Sequence, residues 1–340
     1  MTVLTLISRR LLAALPTLAG VLVITFVITR TLPGDPAAFF AGPAASQEAV
    51  GQIREKLGLN RSLPVQFGVY LRDLARGDLG PALTTGQPVR VELAQRLPAS
   101  LELTACGLGF ALLVGVPLGI AAATRPGSWL DHGGRLVSTL GVSLPSFFLG
   151  LLLIYVFYYR LGWAPAPLGR LDAFVLPPEP VTHFLLVDAL LRGEFATFRA
   201  AAAQLALPAL TVGLFALAPL TRMTRAAMIE ALASDYVRAA RAAGLSRARI
   251  LLVYALHNAL LPVVTTLGMV FSYLLGINVL VEKVFAWPGL GSFSFEALLA
   301  GDYHSVQGFI LTMGGLFVLL NLAVDLLYGL IDPRVARSPG

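Results

Sequence analysis

Six stretches of nearly unbroken apolar residues punctuate the chain, at positions 11–29, 101–123, 136–159, 202–220, 259–281 and 306–330. A helix needs about 20 mostly apolar residues to cross the hydrocarbon core of a bilayer, so each stretch predicts a membrane-spanning helix. The first follows Arg9-Arg10 and exceeds the roughly 7–15-residue apolar region of a secretory leader, which predicts a retained span. An even number of spans puts both termini on one side. Pro117, Pro145, Pro208, Pro219 and Pro262 fall within or at the ends of these runs, and Gly107, Gly109, Gly115 and Gly119 recur in the second. Proline kinks a helix, and small residues four apart let helices approach closely in lipid.

The pattern changes over residues 32–98, between the first two spans. Leu32-Pro33-Gly34-Asp35-Pro36 predicts a turn. Val50, Ile53 and Leu57 mark one face of a short helix over 46–57, and Phe67, Tyr70, Leu71 and Leu74 mark a second over 65–75, which ends at Gly77-Asp78-Leu79-Gly80. This interrupted segment is too small for an enzyme domain and predicts a helical cap. The expected organisation is a first segment 1–31, an insertion 32–98, a membrane core 99–331 containing a loop 222–258, and a tail 332–340.

Composition agrees with a membrane protein: 56% of the 340 residues are apolar and 13% charged, against roughly 25% charged in soluble domains. Among 25 basic residues the only lysines are Lys56, in Glu-Lys-Leu, and Lys283, in Glu-Lys-Val. A phosphate-binding Walker loop needs Gly-Lys-Ser/Thr, so a nucleotide driving this chain has to bind another polypeptide. The lone Cys106 excludes a disulfide within the chain. His132, His183, His257 and His304 are scattered, without zinc-protease spacing, and there is no Gly-x-Ser-x-Gly elbow. No metal, no cofactor and no catalytic residue is expected on this chain.

Charge orients the spans. The N-terminus, the loops after spans two and four, and the C-terminus share one side and hold 12 basic and four acidic residues, a net +8 in a chain of net +6. Arginine excess is retained in the cytoplasm, which predicts both termini there. The same excess in a soluble chain would suggest nucleic acid, a partner class that membrane topology displaces.

Six of those arginines, Arg222, Arg225, Arg238, Arg241, Arg247 and Arg249, lie in the loop between spans four and five. Arg222 and Arg225 fall where the fourth run ends and would offset the helix dipole. Ser234 or Asp235 can cap a helix through the alanine-rich residues 236–243, Gly244 can stop it, and Ser246 can start the next. The result is an isolated helix of about 9 residues and ~13 Å. Its residues leave two roles open: meeting anionic lipid headgroups at the interface, or filling a groove on a partner.

The run Asp235-Tyr-Val-Arg-Ala-Ala-Arg-Ala-Ala-Gly-Leu245, with Tyr254-Ala-Leu-His-Asn-Ala-Leu-Leu-Pro-Val-Val-Thr265, resembles the "EAA" loop of ABC importer permeases of the dipeptide/oligopeptide group. Ala99-Ser-Leu-Glu-Leu103, Ser143-Leu-Pro-Ser-Phe147, Arg222-Met-Thr-Arg225, Phe285-Ala-Trp-Pro-Gly-Leu-Gly291 and Asn321-Leu-Ala-Val-Asp-Leu-Leu-Tyr-Gly329 resemble that group in the same order along the chain. Arg238 replaces the glutamate of the general pattern, and His304 stands where proline is expected after Asp302-Tyr303.

The resemblance implies an all-α polytopic fold of six transmembrane helices, the type I ABC importer permease fold, with an extracytoplasmic helical insertion. It implies a non-enzymatic transport subunit in the inner membrane of a bacterium or archaeon, importing peptides. The partners it implies are a second homologous permease, two ABC ATPase subunits holding ATP and magnesium, an extracytoplasmic solute-binding protein, and membrane lipid. It carries ATPase coupling to Asp235, Tyr236, Arg238, Ala239, Ala240, Arg241 and Gly244. By the same resemblance Glu282, Lys283, Trp287 and Gly289 are expected at an external gate or docking loop, with an aromatic interfacial anchor the plainer role of Trp287. Ser143, Ser146, Asn278 and Asn321 are candidate pathway-lining groups, with helix packing their plainer role. The alternative, an ion-coupled transporter or channel, would rely on intramembrane ionisable residues such as Glu102 or Asp325.

Overall fold

Five of the six apolar runs fold as helix along their whole length, and each of those helices overshoots the run that predicts it. The computed structural model describes residues 3–31, 35–42, 44–56, 58–129, 131–134 and 144–331. Five helices are long and apolar enough to cross a membrane: α1 (Val3–Thr31), α5 (Val89–Thr124), α8 (Phe195–Ala233), α10 (Arg247–Val284) and α12 (Tyr303–Ile331). The predicted third span is described only from Leu144 onward, as the shorter apolar α6 (Ser146–Arg160), because residues 135–143 lie outside the described residues. The predicted turn at Leu32-Pro33-Gly34 likewise lies outside them. Among the described residues the extended pairing is one isolated bridge, Pro81 to Pro88.

The chain divides into two compact units, one of residues 1–7, 101–287 and 319–340, the other of residues 8–100 and 288–318. Glycine sets the close packing of the first unit. A Cβ at Gly119 of α5 would fall 2.6 Å from Thr224 Cβ and 2.9 Å from the Thr221 carbonyl oxygen of α8, and one at Gly107 would fall 2.9 Å from Val212. Lipid offers no hydrophobic drive between helices, so this approach supplies the van der Waals contact that holds them. Buried Asn278 of α10 adds a hydrogen bond, donating to Thr104 Oγ1 of α5 at 2.6 Å.

The second unit contains the insertion helices α2 (Pro36–Ala41), α3 (Gln47–Lys56) and α4 (Leu63–Ala75), with α11 (Leu290–Leu299). Its core is built from Ala82, Val89, Leu93, Leu290 and Phe293. Buried Asp302 ties it together, accepting from the Leu83 N–H at 2.7 Å and the Ser305 hydroxyl at 2.6 Å. Arg30 stacks over Phe26 and Tyr303, at 5.1 and 5.2 Å, and donates to Gln66 Oε1 at 2.9 Å, which fastens α4 to the end of α1. Burial beside this cluster pushes the Tyr70 phenol up to about 12, against the opposing pull of Arg30.

Candidate functional site

The basic loop between spans four and five forms an autonomous helix within the first unit. Helix α8 runs to Ala233, 13 residues beyond the end of the predicted run, and stops where Ser234 turns extended at φ −71° and ψ 157°. The Ser234 hydroxyl donates to the Ala231 carbonyl at 2.5 Å and does not cap the next helix. Helix α9 (Asp235–Ala242) follows, driven by alanine and arginine propensity. It ends in a Schellman motif: Leu245 N–H donates to the Ala240 carbonyl at 3.2 Å and Gly244 N–H to Arg241 at 3.0 Å. Gly244 sits at φ +76°, a left-handed conformation that costs an L-residue roughly 1–2 kcal/mol. Ser246 then accepts from the Arg249 N–H at 3.4 Å and opens α10.

The two faces of α9 have different chemistry. Val237 and Ala240 are buried and pack with Ile250, Leu232 and Leu245. Opposite them Asp235, Arg238, Ala239 and Ala242 are exposed, with Arg238 hydrogen-bonded to Asp235. This outward face is therefore alanine flanked by a self-neutralised ion pair, which lets another backbone approach closely. Tyr236, 40% exposed, borders it on one flank. Arg241 lies on the other flank and lines a cavity of about 620 Å³ together with Arg247, Thr124 and Leu251. Of the residues singled out from sequence, Asp235, Arg238 and Ala239 thus share one face. Ala240 is inward packing, Arg241 faces the cavity, and Gly244 acts through the backbone.

Two ion pairs brace the same unit, and neither was foreseen. Arg225 is mid-helix, so its expected role at a helix end gives way to a bidentate pair with buried Asp131, at 2.7 and 2.8 Å. Asp131 also accepts from the Gly127 N–H at 3.0 Å, which pins the loop after α5 to α8. On α5, Glu102 lies 13 residues beyond the helix start at Val89 and is buried. It accepts from Arg170 at 2.7 Å and from the Leu186 N–H at 2.8 Å. That holds the loop 161–194, which includes the short helix α7 (Leu185–Leu191), against α5. Within the loop, burial of Asp188 opposes its ionisation. Donation by the Thr182 hydroxyl at 2.7 Å and the N–H groups of Thr182 and His183, at 2.7 and 2.9 Å, outweighs this and holds the carboxyl below its usual range. The loop exposes Phe174 and Leu176 at 97% and 85%.

The described candidate pathway residues have different surroundings. Asn278 is engaged with Thr104, Ser146 is buried at the start of α6, Asn321 is exposed on α12, and Ser143 lies outside the described residues. Trp287 is 1% exposed and Glu282 fully buried, so Trp287 is a core residue and the interfacial anchor expected of it is corrected.

A helix bundle carrying a self-contained basic helix is a specific arrangement, and the family comparisons match it. The model for "Binding-protein-dependent transport system inner membrane component" matches residues 115–337, and the N-terminal membrane-component model of such systems matches residues 3–104. The chain belongs to this family. The binding-protein-dependent permease is 46% identical over 340 residues to the probable D,D-dipeptide transport system permease protein DdpB of Escherichia coli K12, covering all of both chains. It is 44% identical over 336 residues to the di/tripeptide transport system permease protein DppB of Pseudomonas aeruginosa, covering 98% and 99% of the two chains. The MetNI methionine ABC transporter, in an inward-facing conformation, contains a chain that aligns with 71% of this permease at a TM-score of 0.51 and 19% identity, with 96% of that chain covered. The permease has the type I ABC importer fold and is a multi-pass inner-membrane component.

Proposed function

We propose that this permease imports di- and oligopeptides as one half of a membrane pair, driven by two ABC ATPase subunits and supplied by an extracytoplasmic binding protein. The observation that carries the coupling is the outward face of α9: short, stopped by Gly244, and presenting Ala239 and Ala242 between charged ends. Such a face fits a groove on an ATPase, and motion of that groove moves α10 through the Val237, Ala240 and Ile250 contact. ATP and magnesium bind the ATPases, consistent with lysines that cannot form a phosphate loop. The arginine-rich side, with both termini, faces the cytoplasm.

The peptide substrate is inferred from relatives that are 40% or more identical over nearly their whole length and named for dipeptide or di/tripeptide transport. The ion-coupled alternative loses its candidate at Glu102, whose charge is engaged by Arg170.

The test is Ala239→Trp, which fills the outward face without touching the packed one. Copurification of the ATPases and ATP-dependent peptide uptake fall at least tenfold while thermal unfolding of the permease is unchanged. Undiminished uptake by a well-expressed variant would contradict the assignment.

A further inference from the structure

Helix α4 of the second unit carries more apolar surface than its contact with α1 uses. With about 3.6 residues per turn, Leu63, Pro64, Phe67, Leu71 and Leu74 form one stripe, and Val65, Arg72 and Asp73 fall on the opposite side. Only part of the stripe is packed. Phe67 meets the buried ring of Phe26 of α1 edge to face, with centroids 5.1 Å apart, and Tyr70, at the border of the stripe, stacks on the same ring at 6.0 Å. Leu63 and Leu71 remain 57% and 38% exposed. Beside this contact a hollow of about 300 Å³ opens between Val23, Val27 and Arg30 of α1 and Leu63, Pro64 and Phe67 of α4. Its lining is apolar apart from Arg30.

The sequence of α1 sets the depth of this hollow. Val23 and Val27 belong to the apolar run 11–29, which at about 1.5 Å per residue spans about 28 Å and matches the ~30 Å hydrocarbon core. Arg30 directly follows that run, and Val23 lies about 10 Å deeper along the helix. The hollow is therefore within the hydrocarbon of the leaflet at that end of α1, with Arg30 at its boundary. Phe67 and Tyr70 meet Phe26 inside the same run, which brings the apolar stripe of α4 below the headgroups. The hollow is also continuous with surface that the bilayer covers, since Ile24 and Ile28, next to Val23 and Val27, are exposed on α1. We propose that α4 lies in the membrane interface with Leu63, Pro64 and Leu71 against lipid, and that the hollow between α4 and α1 holds an acyl chain of a phospholipid in that leaflet. Val65 and Arg72 then face water, as the polar side of an interfacial helix does. Water is a poor occupant of the hollow, because its lining offers few of the roughly 2–4 hydrogen bonds that a buried water makes. Arg30 is turned toward Gln66, Phe26 and Tyr303, so recognition rests on the chain and is independent of headgroup charge.

In a full-length chain carrying Cys106→Ala, a nitroxide is attached at Leu63→Cys, Leu71→Cys, Val65→Cys or, on α3, Gln52→Cys, all of them exposed positions. The permease is reconstituted in phospholipid bilayers alone and with its pair partner. Relaxation by oxygen, which concentrates in hydrocarbon, is compared with relaxation by a water-soluble nickel chelate. The ratio of oxygen to nickel effects is at least about threefold higher at Leu63 and Leu71 than at Val65 and Gln52 in both preparations. Occupancy of the hollow is read by native mass spectrometry in a neutral detergent. The permease retains phosphatidylcholine and phosphatidylglycerol alike, and Val27→Trp, which fills the hollow, lowers retention of both at least about twofold. Leu113→Trp, on the exposed face of α5, leaves retention unchanged. A ratio at Leu63 and Leu71 equal to that at Val65 would place α4 in water, and loss of both effects on adding the pair partner would make the stripe a subunit contact. Either result, full lipid retention in Val27→Trp, or retention of phosphatidylglycerol alone would overturn the proposal.

Discussion

Gly244 shows how one position governs the loop. A Cβ there meets nothing within 4 Å, so substitution acts through the backbone alone. Gly244→Val should strain the left-handed turn by roughly 1–2 kcal/mol, fray the end of α9 and reduce ATP-driven uptake, with little change in thermal unfolding of the whole chain. A drop in expression equal to the drop in uptake would count against a coupling role. Glu102 and Arg170 make the contrasting case, since their side chains are only 6% and 19% exposed. Glu102→Gln leaves a guanidinium buried without its counter-charge and should destabilise the chain by roughly 3 kcal/mol. The double replacement with Arg170→Gln should recover part of that loss, measured by a double-mutant cycle in thermal unfolding. Gly244 was legible because an alanine-rich helix followed by glycine has a specific backbone meaning. The pairs Arg225 with Asp131 and Arg170 with Glu102 were not, because partners 94 and 68 positions apart leave no local pattern.

Among elements, hydropathy located the spans but understated their length. It registers only the part of a helix in hydrocarbon, whereas α5 and α8 continue for 36 and 39 residues. The extra turns of α8 carry Met228 and Ala231 into a small core with Ala123, Ala255 and Ala259, which joins the loop between spans four and five to the membrane core. The two faces of α9 were likewise hidden from a list of motif residues, since Arg238 and Arg241 look equivalent until Val237 and Ala240 define which side is buried. The loop 161–194 adds a pH dependence. Asp188 has a lowered folded-state pKa, so the stability it contributes is complete above the unfolded value and is lost as pH falls through the folded one. Proteolytic protection of this loop should hold from neutral pH down to the ordinary aspartate value and then collapse. Asp188→Asn should flatten that profile.

For the whole molecule, the charge distribution and the division of labour belong together. Cysteines placed at Ala336 and at Ser62, in a chain whose Cys106 is replaced, should label from opposite sides of sealed vesicles, Ala336 from the cytoplasmic side. The family and its membrane architecture were legible from a series of motifs in register, whereas the pathway was not, because helix orientation decides whether Asn278 faces substrate or a neighbour such as Thr104. The most direct test of ATP-driven transport is peptide uptake into proteoliposomes containing this permease, its pair partner, both ATPases and the binding protein. Uptake should require ATP together with the binding protein and should persist when a protonophore abolishes the proton gradient. Uptake by the permease alone, driven by a proton gradient without ATP, would contradict the account.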